Sequence, residues 1–413
     1  LRVSLAVAGA AGASALASAA LRPRSGVIEP LPVSAESYFS ASEIERARRF
    51  RRPQLALLVA SLAVEGGVLW ALAHRSPPGR GGGRRRGRRK ARRPLSTAAL
   101  DGARTSLGAE LATLPLAALA RRRSIRAGLT TDTWGHWAGD LAKSSALGTV
   151  FAAGAAAVGA GLMRRFGRHW WLPGSALALG TSAGFLTAGP LLLDPLFNKF
   201  TVVPPGPLRD DVLELARKAG VSVGEVFEVD ASRRTTAANA YVTGLGPTKR
   251  VVLYDTLLEN FDRDEIRLVI AHELAHVHHR DVPRGLLFLA ITAPVGLFAV
   301  AQLTEGLASG GADRDGGPPA VAALGLALGL VSAPIGLLSR RLSRRVEARA
   351  DSFALALAGA PEACIAFERR IALRNLADPD PPAWMGAVLA THPTTVQRIG
   401  IAEAYAAEQQ GLP

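Results

Sequence analysis

The chain has 413 residues, 48% of them hydrophobic, and a positive mean hydropathy of +0.18, which favours a membrane protein over a string of soluble domains. Its single cysteine, Cys364, excludes an intrachain disulfide, a disulfide-stapled secreted fold and a thiolate zinc cluster. The net charge of +15 comes from arginine, with 44 Arg against 5 Lys.

Residues 3–21 are apolar and small, the pattern of a first membrane span or of a signal-peptide core. Four further apolar stretches follow at 55–73, 95–120, 141–163 and 172–193, each about long enough to cross a bilayer as a helix. The stretch at 95–120 is interrupted by Asp101, Arg104 and Glu110. Glu65 and Glu110 fall inside spans where a lipid-facing carboxylate is costly, so both are expected to face water or each other. Between the second and third spans lies PPGRGGGRRRGRRKARRP, which has too little apolar content to bury a core. It reads as a disordered loop over 75–94. Without interleaved aromatics it points to anionic lipid headgroups, and no nucleic acid is expected as a partner.

The polar segment 194–284 begins with a helix, LRDDVLELARKAGV, and a strand, GEVFEVDA. Two strands around a Gly-Pro turn follow in TTAANAYVTGLGPTKRVVLYDTLL. Next comes RLVIAHELAHVHHRD, whose apolar run and freedom from Gly and Pro predict a helix capped by Asp262 or Asp264. HExxH on a helix sets His272 and His276 one turn apart on one face, so both imidazoles can grip one zinc ion with Glu273 beside it. Two more spans, 285–304 and 319–338, bring the total to seven, and the polar segment 340–413 is mostly helical. The chain therefore divides into a membrane domain, 1–193, and a zinc domain, 194–413, that includes the last two spans.

A catalytic zinc needs three protein ligands and one open position. His74, His136 and His169 lie at span ends, where interfacial placement explains them. His279 lies one turn past His276 and would crowd the tetrahedron. Glu347 and Asp351, in SRRVEARADSF, are four apart and share a helix face. Glu347 can ligate zinc, and Asp351 can accept the free N–H of a ligating histidine. Spacing alone leaves an ordinary charged surface helix equally open. The strand at Asn239 and Ala240 is placed to hold a peptide substrate by β-addition, against the plain alternative of an edge strand.

The order HELAH, two spans, SRRVEARAD, then THPTTVQRI resembles the integral-membrane zinc metallopeptidases typified by CAAX prenyl protease 1, in a bacterial-type form. DPLFNKFTVVPPGPLRDDV and NAYVTGLGPTKRVVLYDTLL add to the match, which covers 194–400; the N-terminal part matches only as a set of spans, and its Arg-rich loop departs from the pattern. The resemblance implies a mainly α fold: a seven-helix transmembrane bundle around a water-filled chamber, capped by a gluzincin-like HExxH domain with a small β-sheet. It implies that Glu347 is the third ligand of a single Zn2+, that His392 reaches the active site, and that Arg398 accompanies it.

The expected reaction is peptide hydrolysis, with Glu273 as general base to a zinc-polarised water and His392 stabilising the oxyanion. Its partners are the lipid bilayer and a peptide or protein substrate, membrane-associated or lipidated. A heat-shock-type quality-control protease, a non-catalytic scaffold and a transporter are the rival readings. Two spans separate HELAH from Glu347, so both emerge on one side of the membrane. Arg280, Arg284, Arg340, Arg341, Arg344 and Arg345 flank the last two spans on that side, while Glu305, Asp313, Arg314 and Asp315 lie opposite. The positive-inside rule then places the catalytic domain in the cytoplasm, on a bacterial plasma membrane, and leaves the Arg-rich loop external.

Overall fold

In the computed structural model, residues 2–74, 94–244, 249–307 and 318–411 are described. Seven long helices form the bundle: α1 (Arg2–Leu21), α2 (Ala41–Ala73), α3 (Leu95–Arg126), α4 (Trp134–Phe166), α5 (Trp171–Leu192), α9 (Asp281–Leu307) and α10 (Pro318–Ala358). Six of them are long and apolar enough to cross a membrane. The seventh, α3, fails on composition because Asp101, Arg104, Glu110 and its C-terminal arginines dilute its apolar surface.

Helix α3 nevertheless runs antiparallel along both α2 and α4. Gln54 near the start of α2 donates to Ala120 O and Ser124 Oγ at the end of α3, at 3.3 and 3.1 Å. At the other end Gly102 sits against α4 so closely that a Cβ would come within 2.6 Å of Ala152 O. Small residues permit such approach, and dispersion between close backbones replaces the hydrophobic drive that lipid does not provide. Ala6, Ala10, Ala299, Val300, Ala327 and Val331 build the same kind of seam where α1 meets α9 and α10.

A partly open cavity of about 1080 Å³ lies between α2, α3, α4, α5, α9 and α10. Glu65 and Glu110 both line it, and Glu110 accepts a hydrogen bond from Ser145 Oγ. Both carboxylates thus face a space between helices, in keeping with their cost in hydrocarbon.

Outside the bundle, β1 (Phe200–Val202), α6 (Pro207–Lys218), β2 (Glu225–Val229), β3 (Ala240–Thr243), β4 (Arg250–Tyr254) and α7 (Asp255–Asn260) lead into α8 (Arg263–His278). The strands form one sheet in the order β1-β2-β4-β3, with β2 and β4 parallel and the other pairs antiparallel. Val226, Val251 and Leu253 pack with Leu215 of α6 and with Ile266, Ile270 and Leu274 of α8, the last three at i, i+4, i+8. A second face of α8, Leu268 and Ala271, packs on Ala348, Leu355 and Ile401. The stripe carrying His272 and Glu273, with Leu268 and Val269 before it, lines a cleft. The chain ends with α11 (Pro361–Arg374), α12 (Ala383–Leu389) and α13 (Thr395–Gln409).

Two details depart from the sequence reading. The last span and the Glu347 segment are one unbroken 41-residue helix, α10. The predicted helix through Asp281 breaks instead at Arg280, whose φ is +57°. The Arg-rich loop (75–93), the Gly-Pro turn (245–248) and the loop carrying Asp313, Arg314 and Asp315 lie outside the described residues.

Candidate active site

Helix α8 starts where its sequence says it should: Asp262 is the N-cap, and its N–H donates to Glu265 Oε2 at 2.8 Å. From that start the HExxH stripe faces α10. His272 Nε2 lies 3.3 Å from His276 Nε2 and 3.2 Å from Glu347 Oε2, and His276 Nε2 lies 3.7 Å from the same oxygen. Ligands about 2.0–2.1 Å from a tetrahedral metal are about 3.3 Å apart, so this triangle has the size of a metal site.

The ring nitrogens on the far side support that fit. His272 Nδ1 bonds Asp351 Oδ1 at 2.9 Å and His276 Nδ1 bonds Asp281 Oδ2 at 3.0 Å. Each Nδ1 proton donated to a carboxylate leaves Nε2 as a bare lone pair. Two lone pairs and a carboxylate oxygen then converge on one point, which repels without a cation and suits one. His272, His276 and Glu347 are the His/Cys/Asp/Glu group among the described residues whose donor atoms can meet on an ion. His278 and His279 stay away: His278 Nδ1 lies 2.8 Å from Ala219 O, and both rings pack on Phe353.

Each histidine is backed by a carboxylate and an arginine. Arg398 forks onto Asp351 with Nε and Nη2 at 2.9 and 2.6 Å, and its Nη1 reaches Glu368 Oε1 at 2.7 Å. Arg349 Nη2 holds Asp281 Oδ1 at 2.5 Å. Burial raises the Glu368 carboxyl to about 7 against the pull of Arg398. Asp351, expected behind a histidine, is there; Asp281, Arg349 and Glu368 were missed. Asp281 is brought back onto His276 by the left-handed turn at Arg280, which no glycine marks in the sequence.

Glu273 lines a cleft of about 430 Å³ together with His272, Asn239, His392 and Arg398. Burial raises its carboxyl pKa. His392 Nε2 lies 3.1 Å from Glu347 Oε2 on a half-exposed side chain. Its loop is held by Arg344, whose Nη1 donates to Gly386 O at 2.9 Å and to Ala390 O at 2.8 Å, at the end of α12.

Strand β3 is an edge strand in the described sheet. Asn239 O accepts from Tyr254 N at 3.1 Å, so residue 239 turns its main chain toward β4. Ala240, paired with Leu253, then points its own N–H and C=O to the open edge, while its side chain is buried in the core.

Residues 205–406 match peptidase family M48, and residues 125–199 match the CAAX prenyl protease N-terminal region, described as five membrane helices. The uncharacterized metalloprotease YhfN of Bacillus subtilis is 31% identical over 304 residues, 72% of this chain and 71% of that protein. The chain belongs to peptidase family M48. This M48 chain is also 32% identical over 224 residues to a CAAX prenyl protease 1 homolog of Oryza sativa, covering 53% of this chain and 52% of that protein. CAAX prenyl protease 1 of Saccharomyces cerevisiae is 38% identical over 104 residues, 25% of this chain and 23% of that one. The crystal structure of S. mikatae Ste24p shares the fold, with a TM-score of 0.75 at 19% identity over 97% of this chain and 98% of that one. The protein is thus a multi-pass membrane metallopeptidase that hydrolyses peptide bonds.

Proposed function

We propose that the metal is a single Zn2+ held by His272, His276 and Glu347, and that the enzyme is an endopeptidase working at the cytoplasmic face of the membrane. The observation that carries the reading is the triangle of 3.2, 3.3 and 3.7 Å between two bare imidazole nitrogens and one carboxylate oxygen. Zinc bound there would supply Lewis-acid polarisation and an acidified water.

Glu273 has no hydrogen-bond partner among the described residues, and its raised pKa suits a base that takes the water's proton and passes it to the leaving amine. His392 donates to the oxyanion from across the cleft. Arg398 acts through Asp351 and holds the orientation of His272. The peptide pairs with the free main-chain groups of Ala240 and meets the side chain of Asn239 in the cleft. Residues 1–193 supply most of the bundle and 194–413 the chemistry, although α9 and α10 thread the second part through the first.

The substrate class we favour is a membrane-tethered, lipid-modified peptide. The names of the CAAX prenyl protease 1 relatives and the largely apolar cavity within the helix bundle support it. Family membership and the intact His-His-Glu group leave the scaffold, transporter and quality-control readings without support.

The test compares the purified enzyme with Glu347→Ala and Glu273→Gln on matched peptides with and without a prenyl thioether. Glu347→Ala should lose most of its zinc by elemental analysis, whereas Glu273→Gln should keep it and lose at least about a hundredfold in kcat. Full zinc in Glu347→Ala would remove that residue from the site. Equal kcat/KM on both peptides would remove the lipid from the substrate class.

A further inference from the structure

A second cleft, of about 420 Å³, lies between the end of α1 and the middle of α10. Its α10 wall is the stripe of Leu338, Arg341, Arg345 and Ala348, and Glu347 lies two residues, some 200°, round the helix from Arg345. The cleft therefore backs onto the catalytic face of α10 without opening into it.

Its depth in the membrane follows from the helices that line it. Ser18 Oγ, one turn before the end of α1, donates to Leu338 O at 3.3 Å, so the two helices are level there. Leu338 closes the apolar run of α10, and Arg340, Arg341, Arg344 and Arg345 follow within two turns. On the bilayer side the cleft is walled by Ala15 and Leu338; at that level and beyond it stand Ala19, Leu342, Arg22, Arg341 and Arg345. The site straddles the boundary between hydrocarbon and headgroups.

Of the four guanidinium groups that line the cleft, two are spent on the protein in whole or in part. Arg344 donates to the carbonyls at the end of α12. Arg345 pairs with Glu29 Oε1 at 2.6 Å, but its Nε is shielded from solvent without a protein partner. Arg22 and Arg341 are exposed and make no hydrogen bond or ion pair among the described residues. Four arginines and one carboxylate line the cleft, leaving a net charge of about +3 over an apolar slot.

We propose that this cleft binds one anionic phospholipid, with the phosphate between Arg22 and Arg341 and an acyl chain along Ala15, Ala19 and Leu338. A compact oxyanion answers unpaired guanidinium forks, and the apolar walls answer a tail that a free anion lacks. Pro393 and Gln397, at the start of α13, close the far end, and Pro393 also lines the catalytic cleft beside His392. A lipid seated here braces the loop that presents His392.

The test uses the full chain, delipidated in a neutral detergent and titrated with a phosphatidylglycerol or a phosphatidylcholine of the same acyl chains. Bound lipid is counted by native mass spectrometry, and Tm is followed in parallel. One phosphatidylglycerol per chain should bind in preference to phosphatidylcholine and raise Tm. Arg22→Gln/Arg341→Gln, which touches no protein partner and should keep its metal content, should weaken that binding by about tenfold or more. Arg51→Gln/Arg52→Gln, exposed arginines on α2 away from the cleft, should leave it unchanged. The proposal fails if the first variant binds like the parent or if the control pair loses as much, which would mean diffuse surface charge. It fails equally if inorganic phosphate alone reproduces the Tm rise, which would mean a free-anion site.

Discussion

Asp351→Asn tests the idea that the histidines are held by carboxylates behind them. Asp351 is 5% exposed and has three donors: His272 Nδ1 at 2.9 Å and Arg398 Nη2 and Nε at 2.6 and 2.9 Å. An amide keeps one acceptor oxygen but turns an NH2 toward either the imidazole N–H or the guanidinium, so one of these contacts becomes donor against donor. Loss of such a support typically lowers metal affinity about 10- to 100-fold, or about 1.4–2.8 kcal/mol. The larger penalty of a stranded buried ion, about 3–5 kcal/mol, should not arise, because Glu368 still stands 2.7 Å from Arg398. The variant should therefore fold and span the membrane like the parent, but release zinc to a competing chelator at about 10- to 100-fold lower chelator strength. Excess zinc should restore most of its activity, since Glu273 is untouched. Zinc affinity within about threefold of the parent would refute the orienting role.

Three further outcomes are expected. Gly400→Ala would bring a Cβ within 2.2 Å of Leu31 O, on the segment whose Leu31 N donates to Gly400 O at 3.0 Å. It should cost about 1–3 kcal/mol by chemical denaturation, and a neutral result would show that residues 30–31 are not clamped on α13. Burial places Glu368 at about 7, above its ordinary 4.5, so its contribution to stability is fully present below pH 4.5 and is lost as pH rises through 7. The stability of the parent relative to Glu368→Gln should fall across that window, and a flat difference between pH 5 and 8 would contradict the shift. A periplasmic phosphatase fused after Pro413 should be silent if the catalytic side is cytoplasmic; strong activity would reverse the orientation.

The chemistry was legible in the sequence where it follows from short-range periodicity. His272, Glu273 and His276 share a face because one helical turn separates the two histidines, whereas spacing put Glu347 and Asp351 on one face but left an ordinary charged helix equally open until the family resemblance singled Glu347 out. The long helices were legible as apolar runs, α3 least so because its charges dilute the run at 95–120, and its place in the bundle is seen in the packing of Gly102 and Gln54. Asp281, Arg349 and Glu368 were hidden because their roles depend on tertiary approach: a non-glycine left-handed turn, and a helix pair, α11 with α13, that buries a carboxylate against Arg398. The strand β1, three residues long, is too short for alternation to announce it.

Helix α10 carries a constraint of phase. The residues packed in the bundle, Ala327 and Val331, and those at the catalytic centre, Glu347 and Asp351, are read off one uninterrupted screw. Inserting or deleting a single residue between them would turn Glu347 by 100° and slide it 1.5 Å along the axis, away from both imidazoles. The stretch from 332 to 346 is thus constrained in length as well as in its contacts, and seven residues, close to two full turns, is the smallest change that nearly restores the angle while moving the carboxylate about 10 Å from the membrane. Loops elsewhere in the chain can absorb such changes. Here the bilayer anchor and the chemistry share a single thread.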